Sequence, residues 1–382
     1  MVTGRTKIAI VAGEPSGDSL GSGLITALKS AVPGACFLGV GGPKMREAGC
    51  TTLYDMVHLE LMGFDGLFGK LGGILKIRRA LYRKFMADPP DLFIGIDVPD
   101  FNLSLEGKLR KHGIKTLHYV SPTVWAWRGY RIHKIRRAVD HMLTLFPFEA
   151  DYYRSQQVPA TCVGHPIADE IDEPDTRQAR HQLGIGAGHR VIALLPGSRR
   201  SEVMKLGPVI VDAVKRLHRE DPGIRFVLPF ANPRVEREFY RVARGIDELP
   251  VTTYAARSRQ VLEACDIAIL ASGTAALEAA LLRKPHVVIY KLSPLTYWLV
   301  RRLRHVDHYS MPNQLLPEPV IPELIQDRAN GTNIVHAVNG FLRHPERLRQ
   351  LQEQFARVHT QLRRNANLQA SRAVVKLLEG GE

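Results

Sequence analysis

Two doubly wound α/β domains are what this 382-residue chain predicts, and three observations predict them. Short apolar runs recur with helix-like segments between them. The runs are continuous rather than alternating, and nearly every one ends in a cluster of Gly, Pro, Ser or Asp. Continuous apolar runs suit strands covered on both faces, as in parallel sheets, and strand–helix alternation implies right-handed βαβ units. The length exceeds what one core usually organises, so two domains are expected.

Taken in order, the runs of the first half are KIAIVAG, ACFLGVGG, DLFIGIDVP, KTLHYVSP, HMLTLFPF and ATCVGHP; those of the second are RVIALLPGS, IRFVLPFA, DIAILASG and HVVIY. The stretch GHPIADEIDEPDTRQARHQLGIGAGHR (164–190) is polar, rich in breakers and without a strand pattern, and reads as the connection between domains. The expected division is an N-terminal Rossmann-like domain over 1–165, a second over 166–345, and a helical segment over 346–382. That last segment is read as helical from its strong helix formers, and it either folds back over the chain or meets a partner such as a second copy.

Composition narrows the class. Apolar residues make up 45% and charged residues 24%, as in a folded protein. No stretch approaches the roughly 18 consecutive apolar residues of a membrane span, and the early run IAIVA is too short for a signal-peptide core. A cytosolic protein is expected. The four cysteines (Cys36, Cys50, Cys162, Cys265) lack CxxC spacing, so neither zinc nor a disulfide framework is indicated. The formal charge of +14 attracts polyanions: nucleic acid, anionic lipid head groups or phosphorylated substrates. The cations gather in 70–85, 128–137 and 297–306, mixed with apolar and aromatic residues. No helix-turn-helix, zinc-finger or RNP pattern accompanies them, so nucleic acid is not the expected partner.

Ligands of doubly wound sheets sit at the carboxyl ends of the strands, and the unusual clusters lie there. After one run comes LLPGSRRSEV, in which the turn at Gly197 and Ser198, the following helix start with Glu202, and Arg199 make a phosphate site; an ordinary capped loop reads the same. In ASGTAALEAALL, Ser272, Gly273 and Thr274 cap a helix of small residues that a diphosphate could approach closely. Glu278, about one turn in, is placed to accept from ribose hydroxyls. Two such turns in one half point to a nucleoside diphosphate, and neither is a Walker A or G-x-G-x-x-G motif. AGEPSGDSLG offers Gly13 and Gly17 for a tight turn and Ser16 or Asp18 as a helix cap; it binds the acceptor or merely turns the chain.

The remaining clusters are less specific. VSPTVWAWRGYR sets Trp125 and Trp127 beside Arg128 and Arg131, a pattern that stacks sugars or packs acyl chains and holds phosphate, or else plugs a domain interface. The segment 63–85 spaces Leu67, Phe68, Leu71, Ile74, Leu75 and Leu81 among cations. It is a basic amphipathic segment for an anionic surface or, as amphipathic helices more often are, a core-facing one. His305, Asp307 and His308 are too few for a metal site, and no cofactor is expected. Finally, GIDVPDFN ends a strand on Asp97 and Asp100, either caps for the next helix or a base for a reaction.

In this order and approximate spacing, AGEPSGD, GIDVPDFN, SPTVWAWR, GHP, LLPGSRRSEV, SGTAALEAAL, MPN and PELIQ resemble the lipid-A-disaccharide synthase family, over residues 12–326. The resemblance implies a GT-B fold, two doubly wound Rossmann-like domains facing across a cleft. It also implies inverting transfer of 2,3-diacylglucosamine from UDP-2,3-diacylglucosamine to 2,3-diacylglucosamine 1-phosphate, with a β-1,6 bond formed. By position Asp97 matches the family's general base, and Arg199, Glu278 and Asn313 match functional positions. This chain has Thr123 where many relatives have serine, and QLLPEP follows Asn313 in place of the usual run. The expected location is the inner face of the inner membrane, held peripherally by the basic patches. Three rivals are a UDP-sugar 2-epimerase, a transferase acting on a lipid-linked peptidoglycan precursor, and a non-enzymatic RNA-binding protein.

Overall fold

The structure, a computed structural model, describes residues 6–59, 71–303 and 308–380. It divides into two compact units, Met1–Asp169 with Leu362–Glu382, and Glu170–Gln361.

The first unit carries strands β1 (Lys7–Ala12), β2 (Cys36–Gly41), β3 (Cys50–Asp55), β4 (Leu92–Ile96), β5 (Lys115–Tyr119), β6 (His141–Thr144) and β7 (Ala160–Cys162). Its helices are α1 (Pro15–Ala31), α2 (Pro43–Glu47), α3 (Leu71–Ala87), α4 (Pro99–Arg110), α5 (Ile132–Ala138), α6 (Pro147–Ser155) and α7 (Pro166–Glu170), the last of which ends at the unit boundary. The strands form one parallel sheet in the order β3-β2-β1-β4-β5-β6-β7. Order reverses between β1 and β4, whose register pairs Val11 with Gly95 and Ala12 with Ile96.

Both faces of this sheet are covered, which is why β1 is apolar from Ile8 to Ala12. Ile8, Ile10 and Ala12 pack with Leu24 and Leu28 of α1 and with Ala366, Ala370 and Val374 of the C-terminal helix Ala366–Leu378. Ala9 and Val11 face Leu81 and Phe85 of α3 and Phe101, Leu105 and Leu109 of α4. Gly95 lets α4 lie close on β4, because a side chain there would collide with Glu106. Glu106 in turn contacts His118 Nδ1 at 2.7 Å, both fully buried.

The second unit runs α8 (Thr176–Leu183), β8 (Arg190–Leu195), α9 (Arg200–Glu220), β9 (Ile224–Phe230), α10 (Pro233–Val242), β10 (Val251–Ala255), α11 (Ser258–Ala264) and β11 (Ile267–Ala271). It continues with α12 (Thr274–Leu281), β12 (His286–Tyr290), α13 (Pro294–Leu303), α14 (Met311–Leu315), β13 (Glu323–Ile325), α15 (Gly331–Leu342) and α16 (Pro345–Leu362). Its sheet is also parallel, ordered β10-β9-β8-β11-β12-β13, with the reversal between β8 and β11. The polar stretch 164–190 thus contains two helices, and α8 is tied to the second unit by Arg180 to Asp266 at 2.8 Å. The C-terminal segment is shared: α16 lies in the second unit as far as Gln361, and the last helix, α17 (Ala366–Leu378), lies in the first.

All ten apolar runs are strands. Three further strands, β3, β10 and β13, carried no run, and all three are sheet edges. Among the described residues no helix is long and apolar enough to cross a membrane. Of the amphipathic segment 63–85, Leu67 and Phe68 lie outside the described residues. In α3, Leu81 belongs to the core while Leu75 is 49% exposed. On α13, Trp298 is 53% exposed and Arg302 sits 4.4 Å over its ring.

Candidate functional site

In each unit the chain's unusual residues meet at the point where strand order reverses, the place where open α/β sheets bind ligands. In the first unit β4 ends at Ile96, and the chain turns through Asp97 (φ 52°) and Val98 (φ 43°) before Pro99 opens α4. Two successive left-handed non-glycine residues, one of them β-branched, are costly unless the surroundings fix them. Asn102 does so: fully buried, its Nδ2 donates to the carbonyls of Asp97 (2.8 Å), Ile96 (3.3 Å) and Val11 (3.3 Å). The Asp97 N–H also donates to Tyr119 O at 2.9 Å. The asparagine of GIDVPDFN therefore holds the turn that carries Asp97. Asp100 lies in the first turn of α4, its carboxylate 81% exposed and paired with Arg131. Neither acid caps the helix through its side chain; Val98 is the N-cap residue.

Asp97 and Asp100 line a pocket of about 450 Å³ together with the 120–124 loop, Trp127, Arg128 and Arg131. The loop is braced from behind. Trp127 Nε1 donates to Thr123 Oγ1 at 3.0 Å, so the hydroxyl of this chain's threonine is in use. Arg128 lies 4.1 Å over the Trp127 ring. Trp125 is absent from the pocket wall: its Nε1 donates to Glu149 Oε1 at 3.0 Å, and its ring meets Phe148 edge-on at 4.8 Å. Burial pushes the Glu149 carboxyl up to about 7, against the pull of the Trp125 and Phe146 N–H donors. Buried Glu149 and the clamp Asn102 are residues the sequence reasoning left out of the site; the signals for them were Asn102's place inside GIDVPDFN and Glu149's at the third position of α6, after Pro147.

The glycine loop needs correcting. α1 starts at Pro15 with Glu14 as N-cap residue, so neither Ser16, which is exposed, nor Asp18 caps it. Asp18 instead meets the start of α2. Only 2% exposed, it accepts from the N–H groups of Gly42 (2.7 Å), Lys44 (3.0 Å) and Met45 (3.0 Å), and so caps α2. Gly13 and Gly17 allow close approach rather than a tight turn. A Cβ at Gly13 would stand 2.8 Å from Val98 Cγ2, and one at Gly17 would stand 3.3 Å from Ala12 Cβ. The loop thus supports the Asp97 turn.

In the second unit, the loop 197–199 and Glu202 from the β8 side meet residues 272–275 and Glu278 from the β11 side in a pocket of about 370 Å³. Gly197 is left-handed (φ 109°), and a Cβ there would collide with Glu202. The Glu202 carboxylate accepts from the N–H groups of Ser198 (3.1 Å) and Arg199 (3.2 Å), which corrects the expectation that those groups face a phosphate. Arg199 remains at the pocket, its side chain 58% exposed and 3.9 Å from Glu202 Oε1. Gly273 is the N-cap residue of α12, and its neighbour Ser272 donates to Tyr309 O at 3.2 Å. Burial pushes the Glu278 carboxyl up, with Arg259 pulling it down and Glu170 pushing it further up.

Asn313 is the donor-site expectation the structure moves. It is 4% exposed and does not line the pocket. Its Nδ2 donates to Ile321 O (2.9 Å) and Glu323 Oε1 (2.8 Å), and its Oδ1 accepts from Ile321 N–H (3.1 Å). That clasp closes the QLLPEP loop. Glu323 also accepts from the N–H groups of Tyr309 and Ser310, and Tyr309 O is the acceptor of Ser272. Through this knot Asn313 supports the pocket wall at Ser272. Among the described residues no three His, Cys, Asp or Glu side chains converge on a common point; His305 and Asp307 lie outside them.

Two parallel Rossmann-like sheets, each with its polar turns gathered at the switch point, define a protein of GT-B fold. A UDP-GlcNAc 2-epimerase from Neisseria meningitidis shares it, at 14% identity and TM-score 0.65 over 98% of this chain and 100% of that one. A glycosyltransferase from Rickettsia africae shares it at 11% identity and TM-score 0.61, over 100% of each chain. These likenesses establish the fold alone. Sequence sets the family. The model of the Lipid-A-disaccharide synthetase family matches residues 8–377. The lipid-A-disaccharide synthase of Hahella chejuensis is 46% identical over 377 residues, covering 98% of this chain and 95% of that protein. That of Pseudomonas putida is 47% identical over 373 residues, covering 97% and 98%. The chain belongs to the lipid-A-disaccharide synthase family.

Proposed function

We propose that this protein transfers 2,3-diacylglucosamine from UDP-2,3-diacylglucosamine to the 6-hydroxyl of 2,3-diacylglucosamine 1-phosphate, forming a β-1,6 bond with inversion and releasing UDP. Family membership carries the reaction. The observation that carries the assignment of roles is the Asp97 turn, a half-buried carboxylate on a strained, doubly anchored corner at a switch point. A base there takes the hydroxyl proton as that oxygen attacks the anomeric carbon. Asp100, paired with Arg131, anchors the corner.

The donor's diphosphate lies in the second unit's pocket, between Arg199 and the first turn of α12, where a cation and the positive end of a helix stabilise the leaving group. Glu278 accepts from the ribose hydroxyls. Both substrates are anionic and lipidated, so the enzyme works at the cytoplasmic face of the inner membrane. The cationic helices α3 and α13, with Leu75 and Trp298 exposed, supply the contact.

The test is to incubate the protein with both substrates in EDTA and follow UDP and disaccharide together. Disaccharide formed in step with UDP, and lost in Asp97→Ala with the fold intact, is the expected result. UDP released without an acceptor would turn the reading toward an epimerase. An Arg199→Ala variant with wild-type turnover would remove that residue from the site.

A further inference from the structure

We propose that Arg128 and Arg131 form the binding site for the phosphate monoester of the acceptor sugar, and so decide which sugars the first unit's pocket accepts. The inference rests on the reading that this pocket takes a glucosamine 1-phosphate. Four observations carry it. The pocket of about 450 Å³ that holds Asp97 is lined by both arginines, and its size suits a glucosamine 1-phosphate head group without the acyl chains.

The Arg128 guanidinium, stacked 4.1 Å over Trp127, has no hydrogen bond or ion pair among the described residues. Stacking occupies a face of the guanidinium and leaves its in-plane N–H fork for an anion, and that fork matches the geometry of phosphate oxygens. Arg128 is moreover left-handed (φ 52°, ψ 42°), a conformation rare for any residue but glycine.

Arg131 is the second cation. Its side chain is 14% exposed and is fixed by its pair with Asp100, which engages one of the five N–H donors of the group. The Asp100 carboxylate opposes an incoming anion. It is itself 81% exposed, and Arg78 adds a third cation beside it, Nη1 standing 3.5 Å from the Asp100 carbonyl. The chemistry asks for such a fork near the base. In the acceptor, the phosphate at C1 and the hydroxymethyl at C5 flank the ring oxygen. Holding the first aims the second, and a held nucleophile gains rate as well as affinity.

The same phosphate chemistry occurs on membrane head groups, and the experiment separates the two sources. Transfer is measured in neutral detergent micelles with 2,3-diacylglucosamine 1-phosphate and with its 1-hydroxyl analogue, for the wild type, Arg128→Gln and Arg131→Lys. The wild type is expected to prefer the phosphorylated acceptor by about ten- to a hundredfold in kcat/KM, the range of one to two charge-assisted contacts. Arg128→Gln removes most of that preference through the acceptor KM, leaves the donor KM unchanged, and lowers activity on the 1-hydroxyl analogue much less. Arg131→Lys, which keeps a cation beside Asp100 but not the fork, gives a smaller loss of the same kind.

Preference retained in full by Arg128→Gln overturns the proposal. So does an Arg128→Gln defect that is absent in the micelles and emerges when the same assay is repeated on anionic phospholipid vesicles, which assigns the arginine to head groups. Wild-type transfer without preference between the acceptors overturns the proposal and leaves the function standing; no transfer to either overturns both.

Discussion

Asp18 offers the sharpest test of the reassignments, because a residue expected to cap α1 in a candidate acceptor loop is here placed in the scaffold of α2. Replacing it with alanine removes the acceptor for three backbone N–H groups at 2.7, 3.0 and 3.0 Å. All three belong to the first turn of α2, where Pro43 has no N–H to offer. The site is 2% exposed, so water does not readily replace the carboxylate. A hydrogen bond to a charged group contributes about 1.5–3 kcal/mol, and a buried donor left unmade costs about 1–3 kcal/mol. Such losses are not additive, and a total of about 3–5 kcal/mol is expected, at the upper end of what one substitution does. For a unit of this size each kcal/mol lowers the melting temperature by roughly 2–4 °C. Asp18→Ala should therefore melt roughly 6–20 °C below the wild type. Asp18→Asn keeps one acceptor oxygen but turns an NH₂ toward a donor, and should fall between. The assay is thermal melting, paired with acceptor KM at a temperature where both variants are folded. A melting point within 2 °C of the wild type, accompanied by lost activity, would refute the structural role and return Asp18 to the substrate.

Two further predictions concern the other clusters. Gly273→Ala places a methyl group where nothing lies within 4 Å, on extended backbone, so melting should be unchanged while the KM for the UDP-sugar rises several-fold; an unaltered KM would move the diphosphate away from α12. Burial raises the Glu149 carboxyl from 4.5 to about 7. The folded state therefore holds its proton where the unfolded state has lost it, and stability falls as pH rises from about 4.5 to 7, by up to about 3 kcal/mol at pH 8. Glu149→Gln should flatten that decline relative to the wild type, measured as melting temperature between pH 5 and 8. An unchanged slope would show that Glu149 does not titrate in this way.

The strands legible in the sequence are those whose environment the sequence itself encodes. A strand inside a parallel sheet is apolar on both faces, and β1, β4, β8 and β11 display it as unbroken runs. At a sheet edge that requirement lapses. β10, VTTYA, has no buried residue, and β3 has one, Cys50. Their strand character comes from pairing with a neighbour, as Thr253 pairs with Leu228 and Thr51 with Leu38, and pairing leaves no local mark.

The site divides along the same line. Sequence determined which loops matter, because a polar cluster after an apolar strand is local, and Asp97, Arg199, Gly273 and Glu278 all line pockets. Only the tertiary structure decided what each polar group faces. Asp18 meets backbone donors 24 to 27 positions away, Asn313 is bound to Ile321 and Glu323, and Trp125 is bound to Glu149. A carboxylate or an amide bonds a substrate and a backbone N–H by the same chemistry, so its residue type cannot tell them apart. The choice is made by which chain segment the fold brings within hydrogen-bond distance.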